Sequence, residues 1–449
     1  MAQTVITSTD VDAPLTPREV RLERISRILR WGAIFNVLLV SVVLALTIIA
    51  AASARPELVR SIAHILLARA GSLREDAALL AVILLIFANI SALLVAMVGV
   101  LAQEFWALIL IAAAIFANAI GAILFGFVPG LLTIVVAAFA GTILLADLRA
   151  FRTNPVMLKE LRERMRGARA FVVITVYLAL MSGFAVLLYL VQRGVVQDAG
   201  SAVTGELGRT LFAGVVGIEL LLIIFIAPAF TAGAVTSERE RKTYDLLQIT
   251  LLPRPSFVIG KLESALSYIF LLLLAAIPLQ SIAFLFGGVS ETELILAFII
   301  LAVAAITLGT VGLFFSTLVD RTLTASVRAY TVAFTVTIGI PIVLSPLINI
   351  FNGALVGTGT GVSNSPIIEA GLIYLGAFLV SLNPILTAVA TQQLLIDRQE
   401  IGFWTATLSS NGSQIPLASP WISFTILYLV ISTLLVVFAV RRMRRSETL

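Results

Sequence analysis

Apolar residues in this chain run in long unbroken blocks instead of alternating with a strand period or striping one face of a helix. The hydrocarbon core of a bilayer is about 30 Å thick and takes roughly 20 mostly apolar helical residues to cross. Blocks of that length lie at 31–53, 78–101, 105–127, 128–146, 171–192, 210–234, 264–287, 293–318, 329–351 and 420–440, and none holds a Lys or Arg. Such a charge at a helix centre costs about 2.5–3.5 kcal/mol on insertion scales, so their absence marks the blocks as spans. The pattern predicts an all-α polytopic membrane protein with about ten transmembrane helices. An eleventh apolar stretch, about 368–392, is interrupted by Asn383-Pro384. It is expected to form a re-entrant hairpin in the outer leaflet.

Composition narrows the class. Of 449 residues, 60% are hydrophobic and 12% charged, against about half and about a quarter in soluble domains. A soluble enzyme, a secreted disulfide scaffold and a nucleic-acid binder are excluded. With no cysteine and one histidine, His64, there is no thiolate site and little imidazole chemistry. Of the 30 Lys and Arg, 23 fall in the N-terminal 30 residues, the 147–170, 235–263 and 319–328 segments and the C-terminal tail. The positive-inside rule therefore puts both termini in the cytoplasm, although Arg55, Arg60, Arg69 and Arg74 of the 54–77 loop fall on the other side. A full crossing at 368–392 would reverse the tail, which favours the hairpin.

Two basic segments are patterned. In Asn154–Arg166, Asn154 can cap and Pro155 suits the first turn, with Met157, Leu158, Leu161 and Met165 on a stripe opposite Lys159, Glu160, Arg162 and Arg164. The spacing predicts a helix lying on the inner leaflet. In the second, Ser237 and Glu240 are spaced as a capping box, predicting a charged helix over Glu238–Leu251 that Pro253 ends. Its apolar edge (Tyr244, Leu247, Leu251) suits docking into a groove of another protein.

Residues 236–262 resemble the cytoplasmic signature of ABC-2 type transporter permeases, roughly E-R-E-x-G-T, then L-L, P and G-K-L. Glu238, Arg239, Glu240, Thr243, Leu246, Leu247, Pro253, Gly260, Lys261 and Leu262 match; Lys242 stands where the family usually has Gly, and Pro255 is added. Residues 154–169 resemble the family's amphipathic elbow helix, Thr322–Tyr330 its second cytoplasmic loop, and Ser381-Leu382-Asn383-Pro384 the N-P before its last helix. The resemblance covers 150–449, with six spans. A basic N-terminal segment (1–30) and a four-helix extension (31–149) lie outside it.

The resemblance implies the transmembrane subunit of an ATP-driven exporter, with helix 238–251 as the ATPase-coupling lever. A G-x-x-x-x-G-K-[ST] loop is absent, because position 255 is Pro and Leu262 follows Gly260-Lys261. ATP and Mg are therefore expected on a separate ABC ATPase subunit, with no cofactor, metal or catalytic residue on this chain. A second permease copy, or a homologous permease, and the lipid bilayer complete the expected partners.

Glu219 lies mid-span, where an acid either lines a pathway or, hydrogen-bonded, fixes a helix pair. Asn89, Asn118 and Gln280 are expected to bond between helices, Pro341 and Pro346 to kink, and His64 to pack at the surface. An embedded enzyme would need more acids, histidines or a nucleophile than the spans contain. A secondary transporter would need broken-helix repeats. A permease-like subunit of a metalloenzyme-maturation or motility complex stays open beside export.

Overall fold

The computed structural model describes residues 17–52, 61, 65–67, 75–145, 154–166, 168–196, 204–244, 254–343, 346, 366–408 and 414–445. The architecture is an all-α polytopic membrane protein: among the described residues, ten helices are long and apolar enough to cross a membrane. His64, Leu246, Leu247, Leu251 and Pro253 lie outside the described residues.

The N-terminal extension comprises α1 (Pro17–Ala52), α2 (Glu75–Leu101), α3 (Phe105–Phe125) and α4 (Val128–Leu145). Helix α1 runs along α2 and α4, and α3 pairs with α4. Asn89 and Asn118 exchange reciprocal amide hydrogen bonds of 2.9 and 2.8 Å between α2 and α3, as expected. The basic start of α1 also carries a buried apolar stripe. Leu22, Ile25 and Leu29 are buried in one cluster with Val258, Ile259, Val436 and Met443, so extension and core share a hydrophobic interior.

The core begins with α5 (Pro155–Met165) and α6 (Ala168–Val196), followed by α7 (Thr204–Thr231) and the short α8 (Thr236–Glu240). Then come α9 (Arg254–Leu285), α10 (Glu291–Leu318) and α11 (Thr322–Phe334), which continues into a π-helical turn, Thr335–Gly339. Helix α10 is central, packed on α7, α9, α11 and the last helix, α14 (Pro420–Arg445). The turn from α9 to α10 needs Gly287 and Gly288, both at positive φ (86° and 81°). A Cβ on Gly288 would stand 2.0 Å from the Gly205 carbonyl oxygen, so only glycine lets the start of α7 approach.

Helices α12 (Pro366–Ser381) and α13 (Pro384–Arg398) bend by 117° at Leu382-Asn383. The Asn383 side chain caps α13 by accepting from Leu386 N and donates to the Val336 and Thr337 carbonyls. Pro341 has no N–H for the Thr337 carbonyl, and Asn383 supplies the missing donor. The hairpin bend and the Pro341 distortion are thus one locked unit. Strands β1 (Phe403–Thr407) and β2 (Gln414–Ala418) form an antiparallel pair before α14 that the apolar-block pattern does not signal.

Candidate functional site

Three consecutive residues of α8 each hold a different element. The Glu238 carboxylate accepts from Lys261 Nζ of α9 at 2.8 Å and from the Thr243 hydroxyl. Lys261, 4% exposed, also pairs with Glu160 of α5. Arg239 bonds Asp320 at 3.0 Å and the Val319 carbonyl at 3.2 Å, placing a cation at the C-terminus of α10. Glu240 accepts from the backbone N–H of Thr322 at 2.7 Å and from its hydroxyl at 2.9 Å, capping α11 in trans. Arg164 of α5 adds a bond to the Phe230 carbonyl of α7 and stacks 5.2 Å over the Phe230 ring.

Three expectations about this segment change. Ser237 and Glu240 form no capping box. Val235, the residue before α8, already has helical dihedrals, so Ser237 lies inside the first turn. The cap comes from α10 instead, where the Ser316 hydroxyl accepts from Val235 N and Thr236 N at 2.8 and 3.1 Å. Nor is there one continuous helix from Glu238. Helix α8 ends at Glu240, and Lys242 takes positive φ (57°), the conformation for which the usual glycine is suited. Tyr244 is not a free docking edge. Its ring lies against Phe257, 6.5 Å between centroids, and Arg239 sits 5.3 Å above it.

The elbow helix forms as expected, capped by Asn154 accepting from Val156 N at 2.9 Å with Pro155 in the first turn. Its stripe divides: Met157 and Leu161 are half-buried, while Leu158 and Met165 are exposed along with Lys159 and Arg162. Glu160 and Arg164 are its side chains in the junction. Gly260 has a steric reason, since a Cβ there would come within 2.6–2.7 Å of three Asn154 atoms. The Asn154 amide donates to the Ser256 carbonyl and to Glu104, both at 2.6 Å. Glu104 lies between α2 and α3, so this contact ties extension to core. Burial, followed by the nearby Glu263 charge, pushes Glu104 up to about 7 despite the bond from Asn154. Trp106 donates its indole N–H to Glu263.

Glu219 stands apart from this junction. It is fully buried, accepting from the Tyr177 hydroxyl at 3.2 Å and from Gln280, so α6, α7 and α9 meet on one carboxylate. Asn154, Ser316, Asp320, Trp106 and Glu263 were not singled out as bridging residues. Only the G-K-L glycine, small where a side chain would clash, hinted at the Asn154 contact.

No curated protein matches the chain. The family described as "ABC-2 family transporter protein" matches residues 155–446, from the first residue of the elbow helix through α14. Elbow helix, E-R-E junction and N-P hairpin all fall inside that match, and the chain belongs to the ABC-2 family of transporter proteins.

Proposed function

We propose that the chain, a membrane permease component of an ABC transporter, is the transmembrane subunit of an exporter whose ATP and Mg are bound by a separate ABC ATPase. The observation that carries this reading is the α8 junction. Glu238, Arg239 and Glu240 hold α9 with α5, the end of α10 and the start of α11 respectively. A load applied by an ATPase to this segment would reach four helices through these contacts, as a lever requires. The chain pairs with a second copy or a homologous permease. Both termini face the cytoplasm of a cell membrane, and the α12–α13 hairpin occupies the outer leaflet. That orientation follows the basic segments, and export follows from the resemblance. The test is a mild-detergent pull-down of the tagged chain from its native membrane with mass spectrometry. A P-loop ATPase at near-stoichiometric amount is expected; its absence, where a control ABC complex survives, overturns the reading.

A further inference from the structure

Where the extension meets the core, α2, α3 and α5 face α9, α10 and α14 across a cavity of about 550 Å³. That size is ordinary for a small-molecule site. Its wall is apolar nearly throughout, including Val98, Met157, Leu266, Phe270 and Val436. Glu104 and Glu263 also line it. Glu104 is 2% exposed; its Oε1 accepts from Asn154, and its Oε2 accepts from no described residue. Glu263 is half-buried, with Oε1 taken by Trp106 and Oε2 equally free among the described residues. No described Lys or Arg pairs with either carboxylate, and the two repel each other. An apolar cavity lined by uncompensated carboxylates is electrostatically incomplete.

We propose that this cavity binds a lipophilic organic cation, with the hydrocarbon body against α2, α9 and α14 and the positive centre between Glu104 and Glu263 beside Trp106. The indole adds a ring face suited to a cation. A neutral lipid tail would cover the apolar wall and leave both acids without a counter-charge, and an anionic headgroup would be repelled. The site is separate from the α8 junction, so its test is independent of any ATPase.

Full-length protein in phosphatidylcholine nanodiscs is titrated with tritiated tetraphenylphosphonium. Saturable binding is expected, displaced by dodecylammonium and far less by dodecanol. Glu104→Gln with Glu263→Gln, which keeps side-chain shape and removes charge, is expected to weaken binding at least about tenfold. Ser267→Phe, filling the cavity, is expected to abolish it. Size-exclusion profile and unfolding temperature establish that each variant is folded. If the double variant is not, Glu263→Gln alone carries the test, with several-fold weakening expected. Absent saturable binding, equal displacement by dodecanol, or undiminished affinity in the folded glutamine variant overturns the proposal.

Discussion

Two carboxylates in this protein, one half-buried and one fully buried, are satisfied in opposite ways. Glu238 shares the Lys261 ammonium with Glu160 where α5, α8 and α9 meet, and Glu219 is held mid-span by the neutral donors of Tyr177 and Gln280. The charged arrangement depends on one cation. Remove it and two acids are left with unfavourable desolvation and mutual repulsion. The neutral arrangement is distributed, and losing one member leaves other bonds in place. Charge therefore concentrates dependence in the junction, and hydrogen bonding spreads it through the span.

The largest expected effect is at the shared cation. Lys261→Met should destabilise the protein by about 3 kcal/mol, because Glu160 and Glu238 are only 15% and 22% exposed. Adding Glu160→Gln and Glu238→Gln should restore most of it in thermal unfolding. A loss unaffected by those additions would break the comparison. Glu238→Ala is further expected to uncouple ATP hydrolysis from transport while leaving membrane insertion intact. Gly260→Ala comes next, at about 2 kcal/mol for forcing Asn154 from its place. A double-mutant cycle with Asn154→Ala should be strongly non-additive, and additivity would mean the two do not meet.

Glu219→Gln is expected to cost only about 1 kcal/mol and to leave transport unchanged, since a glutamine oxygen still accepts a bond from Tyr177 or Gln280. Lost transport at full stability would instead make Glu219 a pathway residue. The last effect is one of pH, at Glu104, which combines a neutral donor with an acidic neighbour. Its folded-state pKa of about 7 lies above the ordinary 4.5, so the folded protein binds the extra proton between those values. Stability should fall as pH rises from about 4.5 to 7 and level off above. Glu104→Gln should flatten that part of the unfolding-temperature profile.

Much of this was readable from residue order. The blocks free of Lys and Arg each overlap one of the ten candidate spans, although the first span, Val20–Val43, begins among the arginines of α1; the Asn154-Pro155 start of the elbow appeared where expected, and Asn383-Pro384 marks the bend. The charged segment was recognised by its E-R-E and G-K-L residues, but its helix was misjudged in length and capping. Local pairing of Ser237 with Glu240 lost to Ser316, 79 positions further along the chain, because Val235 was already helical. Within the basic stretch Arg18–Arg30, the apolar stripe Leu22, Ile25 and Leu29 is buried in the interior that extension and core share, with α1 packed along α2 and α4.

The sequence by itself determined which segments enter the membrane, because transfer of a helix into hydrocarbon is close to a sum over its own residues. It also determined where helices start and bend, since Asn and Pro act within a few residues. Tertiary structure alone decided who shares Lys261, what covers Gly260, which donors reach Glu219, and that Glu104 and Glu263 line one apolar cavity. Those outcomes depend on side chains about 20 to 160 positions apart meeting within a few ångströms, and no local pattern encodes such a distance.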